Sequence, residues 1–180
     1  ELVAPERTER DLQADPTRDS PYDGNGNGAF FTLVGPGPNS AGGRFVLRAR
    51  ASSATSSDVD LFVGRDSNGD GRPAEDEELC TSTAPAASEF CEIEVTAGAS
   101  DRFWVLVQNF TAGSTGTDRV VLTTSFVDLA PRNEALVVTA PSRSESGQPL
   151  GLRFAWNTPD LLPGERRQWR WAVCSCPLQS

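Results

Sequence analysis

The run from Arg102 to Phe110, RFWVLVQNF, constrains the fold more than any other stretch: odd and even positions alike are apolar, yet it is far too short for a membrane helix. A strand of that texture has to be covered on both faces, so the chain needs at least two layers around it. Other short apolar runs flank it, namely Ala29 to Val34, Arg44 to Ala51, Asp58 to Val63, Glu89 to Thr96 and Arg119 to Val127, each broken from the next by Gly, Pro, Ser, Asn or Asp. In RFVLRARA, Phe45, Leu47 and Ala49 alternate with Arg44, Val46, Arg48 and Arg50. In DVDLFV, Val59, Leu61 and Val63 face one way and Asp58, Asp60 and Phe62 the other. In EFCEIEVT, Phe90, Ile93 and Val95 are expected inside, with Glu92 and Glu94 outside. Period-two runs with turn residues between them predict an all-β chain, a β-sandwich or jelly-roll-like domain over about residues 22–128.

The rest of the 180 residues divides around that domain. Residues 1–21 are charged and poor in large apolar groups, which reads as a linker or arm with a weak helical tendency at Arg7 to Ala14. Residues 129–165 contain two more strand-like runs, Ala135 to Thr139 and Leu150 to Trp156. That is too little for a complete sandwich, so this second β module is short and looks truncated. Residues 166–180 form a basic tail rich in Trp and Cys, and the absence of Met is expected of a piece of a longer chain.

Composition excludes several chemistries. All 16 cationic residues are Arg, and there is no His. Ser/His/Asp and Cys/His nucleophile systems, Schiff bases and P-loop lysines are therefore unavailable. Paired carboxylates could serve a glycosidase, but most of them crowd one loop, so the chain is expected to be non-catalytic. A formal charge of -9 makes nucleic acid an unsuitable partner. No apolar run is long enough to span a membrane as a helix.

The sharpest local signal is Asp66 to Glu77, DSNGDGRPAEDE, which fits the D-x-[DN]-x-[DN]-G-x5-E calcium pattern. Oxygens of Asp66, Asn68 and Asp70 alternate so that they can converge on a hard cation. Gly71 takes the turn, the Arg72 carbonyl can face inward, and Glu77 offers a bidentate carboxylate. Asp58 and Asp60, on one face of the preceding strand, are additional candidate ligands for Ca2+. The competing reading is a solvated acidic loop whose Asp, Asn and Gly serve turns. A strand precedes this loop where an EF-hand has a helix.

Cys80 and Cys91 flank a small-residue segment that a disulfide can close, whereas Cys174 and Cys176 are too close in sequence to bridge each other. Asn109 opens an Asn-Phe-Thr sequon but ends the central strand, so glycosylation is not expected there. Asp23, Asn25 and Asn27 in DGNGNG read as turn residues rather than as a second metal site. Trp104, Trp156, Trp169 and Trp171 could make a carbohydrate platform, but the first two sit in core-like strands.

DVDLFVGRDSNGDG, EELC, EFCEIEV, RFWVLVQNF and VVLTTSFV together resemble the bacterial pre-peptidase C-terminal (PPC) domain over residues 22–128. The segment after it is similar to the fibronectin-like or immunoglobulin-like pieces that trail some secreted subtilisin-like proteases. The resemblance implies a secreted, non-catalytic accessory region of a serine peptidase, assisting substrate targeting or secretion and folding. Its partners would be the parent catalytic domain and a protein or polysaccharide substrate surface. It also implies calcium held by acidic loop groups, as in related collagen-binding domains. A surface adhesion or carbohydrate-binding module is the alternative.

Overall fold

The structure is a computed structural model that describes residues 5–18, 20–23, 26–36, 42–129, 136–139, 141 and 151–156. Eight strands build the sandwich: β1 (Glu6–Gln13), β2 (Ala29–Val34), β3 (Gly43–Ser53), β4 (Asp58–Arg65), β5 (Glu78–Ser82), β6 (Ser88–Ala97), β7 (Phe103–Thr111) and β8 (Thr117–Asp128). They form two antiparallel sheets ordered β1-β8-β3-β6 and β2-β7-β4-β5. The first strand pairs with the eighth, the second with the seventh, the third with the sixth and the fourth with the fifth. The chain is thus one long hairpin rolled into two layers, a jelly roll. Two further strands, β9 (Leu136–Thr139) and β10 (Arg153–Trp156), pair with each other where the sequence predicts them. The tail with Trp169, Trp171, Cys174 and Cys176 lies outside the described residues.

Both faces of β7 are buried, as its sequence requires. Phe103, Val105 and Val107 meet Phe45, Leu47, Val59, Leu61, Val63, Val120, Leu122 and Phe126 between the sheets. Each fully buried side chain of this size contributes about 1.5–3 kcal/mol. On the opposite face, Trp104 and Leu106 pack with Phe62, and Tyr22 and Ala29 cover them.

Two expectations need correction. The predicted arm is instead the edge strand β1, paired with β8 from Glu6↔Thr124 to Gln13↔Thr117, so the sandwich begins before residue 22. Its sequence hides this because only Leu12 is buried. The backbone ladder holds it, together with Arg119, which reaches Asp11 at 2.7 Å and Glu9 at 3.1 Å. Such exposed pairs add little stability, but a charged edge also discourages pairing with other chains. In β6, Phe90 points outward and is 53% exposed, while Glu89 and Cys91 face in. Ile93 and Val95 share the parity of Cys91, not of Phe90, and the register Ala49↔Cys91, Leu47↔Ile93 and Phe45↔Val95 keeps that set on the core side.

Cys80 and Cys91 form the expected disulfide, with Cα atoms 6.2 Å apart, linking β5 of one sheet to β6 of the other. A closed loop this short stabilises by roughly 3 kcal/mol in the chain-entropy model.

The Asn109 sequon is structural. Asn109 is fully buried; its Nδ2 donates to the Leu12 carbonyl and to Asp118, each at 3.1 Å, and its Oδ1 accepts from Ser56 Oγ at 2.7 Å. The amide thereby ties β1, β7, β8 and the β3–β4 connection together. Burial alone would raise the Asp118 pKa, but hydrogen bonds from Thr55, Gly113 and Asn109 outweigh it and hold the carboxyl below its usual range. Asn109→Ala removes an acceptor from Ser56, a donor from Asp118 and the donor to the buried Leu12 carbonyl, so urea melts should show a loss of about 2–4 kcal/mol. A loss under about 0.5 kcal/mol would contradict the tie.

Candidate functional site

The Asp66–Glu77 loop leaves β4 and returns through a 3-10 turn at Glu75–Glu77. Its acids are engaged with its own backbone. Asp66 accepts from the Gly69 N–H at 2.8 Å and the Gly71 N–H at 3.1 Å. Asn68 Oδ1 accepts from the Asp70 N–H, and Asp70 Oδ1 from the Arg72 N–H, each at 2.8 Å. Gly69 and Gly71 take φ of 76° and 72°, the left-handed region that side chains other than Asn and Asp avoid.

Glu77 is turned inward. Its Oε1 accepts from the Ser67 N–H at 2.8 Å, Ser67 Oγ at 2.9 Å and the Asn68 N–H at 3.2 Å; its Oε2 accepts from the Trp104 indole at 3.0 Å. Burial would raise its pKa, yet these donors hold it below the usual carboxylate range. The loop is thus anchored on the central strand. Gly64 makes room for it, since a Cβ there would lie 2.0 Å from Trp104 Cζ2.

The candidate metal residues therefore separate. Asp66, Asn68 and Asp70 share the loop, Arg72 follows them, Glu77 faces Trp104, and Asp58 and Asp60 sit at the opposite end of β4, roughly 20 Å away at 3.3 Å per residue. Among the described residues, no three His, Cys, Asp or Glu side chains are gathered as a metal requires.

Asp58 and Asp60 line a different feature. A cleft of about 440 Å³ opens on the outer face of the β2-β7-β4-β5 sheet. Tyr22 forms one wall; Asp58, Asp60 and Phe62 of β4 and Gln108 and Phe110 of β7 form the floor; Glu75 and Glu78 stand at the side. Asp60 and Gln108 are cross-strand partners, so both side chains rise from the same face.

The four carboxylates differ in their partners. Asp58 accepts from the Ala86 N–H at 3.2 Å; Glu78 accepts from the Tyr22 hydroxyl and, at 2.9 Å, from Thr81 Oγ1; Glu75 is exposed. Asp60 is only 7% exposed and has no hydrogen-bond partner among the described residues. Gln108 is also buried, and its Nε2 makes no hydrogen bond of normal geometry, although the amide lies near enough to Asp15 to help lower that carboxyl's pKa. Burial and the neighbouring Glu78 keep the Tyr22 hydroxyl protonated.

The arginines among the described residues sit elsewhere. Arg44 pairs with Glu94 at 2.7 Å and Arg48 with Glu92 at 2.5 Å on the outer face of the other sheet, and Arg65 lies over the Phe103 ring at 4.9 Å. Among the described residues, no cation lines the cleft. The sequence pointed to Asp58 and Asp60 through strand parity, but to a metal site. Tyr22, Glu75, Glu78, Gln108 and Phe110 carried no signal, because only the rolled topology brings them together.

Burial, followed by the charges of Asp58 and Glu89, pushes the Asp60 carboxyl from its ordinary 3.8 up to about 6. The folded chain then binds this proton more readily than the unfolded one, so the destabilisation is absent below about pH 4 and grows as pH rises through 6. The groups facing Asp60 are Asp58 on β4, Glu89 on β6 and Gln108 on β7. Asp60→Asn should therefore be more stable than the parent chain at pH 7.5, by up to about 2 kcal/mol once water in the cleft is allowed for, and equal to it at pH 4. Thermal melts across pH 4–8 check this; a difference that does not change with pH would contradict it.

No family model and no curated protein matches the chain. Among solved structures it is similar to the Yersinia pseudotuberculosis-derived mitogen, with a TM-score of 0.43 and 14% identity over 73% of this chain and 93% of that one. It is also similar to a carbohydrate-binding module from Cellvibrio mixtus lichenase 5A in complex with cellotriose, with a TM-score of 0.29 and 12% identity over 69% and 88% of the two chains. The jelly-roll assignment rests on the strand order above rather than on these likenesses. Among the described residues, no helix is long and apolar enough to cross a membrane.

Proposed function

We propose that the chain is a non-catalytic accessory module of a secreted subtilisin-like peptidase, and that its jelly roll holds the peptidase's substrate surface through the outer-face cleft. The observation that carries this reading is the cleft itself. It offers aromatic walls and an unpartnered acceptor, while the sequence has no imidazole to activate a hydroxyl. The resemblance of DVDLFVGRDSNGDG and RFWVLVQNF to the PPC domain supports the peptidase context. The inter-sheet disulfide supports export, because such bonds persist in oxidising compartments. A module of this kind raises the effective concentration of a tethered catalytic domain at its substrate without touching the chemistry.

A polysaccharide surface is the second reading, since rings and carboxylate acceptors also suit sugars. Co-sedimentation of the chain with insoluble protein and with cellulose separates the two. Retention on protein, weakened severalfold by Phe110→Ala and without release of peptides, is the expected result. Retention on cellulose alone would replace the peptidase reading with the carbohydrate-binding one.

Calcium belongs to the same proposal at a separate place. Asp66, Asn68 and Asp70 keep second lone pairs beyond their backbone hydrogen bonds, and with the Arg72 carbonyl they are the groups that would hold the ion. Glu77 would remain on Trp104, and Asp58 and Asp60 would take no part. At a hundredfold excess over Kd, calcium should add about 2.7 kcal/mol to the unfolding free energy. Asp70→Ala should remove that gain, whereas Glu77→Gln should destabilise with or without calcium because it breaks the loop anchor. Thermal melts in calcium and in chelator check both; unchanged melts for the parent chain would sink the calcium site.

A further inference from the structure

The geometry points to a protonated guanidinium or ammonium group, carried on an Arg or Lys side chain of a polypeptide, as the occupant of the cleft between Tyr22, Asp60 and Phe110. This deepens the substrate-binding reading of the same cleft and rests on it.

Two independent observations meet there. The first is charge: Asp58, Asp60, Glu75 and Glu78 line one cleft, and among the described residues no Arg lines it with them. The second is an unsatisfied acceptor: Asp60 is more than nine-tenths buried, lines the cleft, and accepts no hydrogen bond from any described residue. A buried carboxylate without a donor is costly, and a ligand that brings the donor and the opposite charge relieves both deficits together. A guanidinium does so with two parallel N–H donors to one carboxylate. An ammonium does so as a point charge.

The other lining groups select against rival occupants. A metal ion needs carboxylates that converge, and among the described residues no three His, Cys, Asp or Glu side chains are gathered in the cleft. Glu78 serves Tyr22 and Thr81, and Asp58 serves the Ala86 N–H, which leaves Asp60 as the buried lining carboxylate without a donor among the described residues. A sugar hydroxyl could donate to Asp60 but would leave the four negative charges uncompensated. The rings of Tyr22, Phe62 and Phe110 supply what a methylene stem and a cation both favour, an apolar wall with a negative π face. The cleft volume of about 440 Å³ exceeds a single head group and leaves room for the stem and the adjoining backbone. Glu75, exposed at the side, can attract the rest of a basic segment.

The test is isothermal titration of the full chain at pH 7.5 with an acetylated, amidated Gly-Arg-Gly-Arg-Gly pentapeptide. The arms are its citrulline counterpart, which keeps the shape and loses the charge, free agmatine, and cellotetraose. The arginine peptide should bind, at least about tenfold more tightly than the citrulline peptide and than agmatine, with affinity falling as salt rises. Asp60→Asn should weaken it by a similar factor while still folding, since the change removes a buried charge, and a melt on the same sample verifies the fold. Equal binding of the citrulline peptide, equal binding to Asp60→Asn, or binding of cellotetraose alone would overturn the assignment. Equal binding of agmatine would overturn the polypeptide source. If the chain sediments with insoluble protein through Phe110 but does not distinguish arginine from citrulline, the substrate-binding reading stands and the cationic occupant falls.

Discussion

The structure depends on one constraint, a central strand that is apolar on both faces in a sheet that has a partner on only one. The inner face of β7 is met by the opposite sheet, as in any sandwich. Among the described residues no second sheet covers its outer face, with Trp104, Leu106 and Gln108, which still has to be removed from water. The chain covers it with local pieces: the segment carrying Tyr22, whose ring meets Trp104 edge-on at 5.9 Å, and the Asp66–Glu77 loop, pinned through Glu77 to the same indole. Beside them lies the cleft, lined by Tyr22 from the first cover, Glu75 from the second, and Asp58, Asp60 and Phe62 of β4. Cleft and core are therefore consequences of one strand.

Charge follows the same division. Acids on the outer face of the β1-β8-β3-β6 sheet and on its edge have arginines opposite them, so Glu92, Glu94, Glu9 and Asp11 are neutralised where they stand. Acids in the cleft are not. Among the described residues no arginine lines the cleft beside Asp58, Asp60, Glu75 and Glu78, and where these acids are buried their effect is stronger and salt screens it less than on the open surface.

Much of the sandwich was legible in the sequence because period-two burial writes itself into alternating side chains. The parity of Val59, Leu61 and Val63 against Asp58, Asp60 and Phe62 and the two-sided burial of β7 could be read that way, and the Cys80–Cys91 bridge from the small-residue segment between its cysteines. β1 could not, because a charged edge strand is held by backbone hydrogen bonds that leave no apolar pattern. Phe90 misled because hydrophobicity outweighed parity in the reading, whereas pairing with β3 fixes parity first. The cleft was legible only in part. Asp58 and Asp60 stood out as acids in an apolar strand, but their neighbours come from four distant segments, and their role could be read only after the hairpin had rolled up.

The most direct test of the central claim, that the outer-face cleft is where this module binds, is a chemical-shift map of the isotope-labelled chain titrated with the arginine pentapeptide. The account predicts that the largest changes fall on Tyr22, Asp60, Phe62, Gln108 and Phe110, with the face carrying Arg48 and Phe90 unmoved. Changes confined to that opposite face, or to the rim of the Asp66–Glu77 loop, would contradict it.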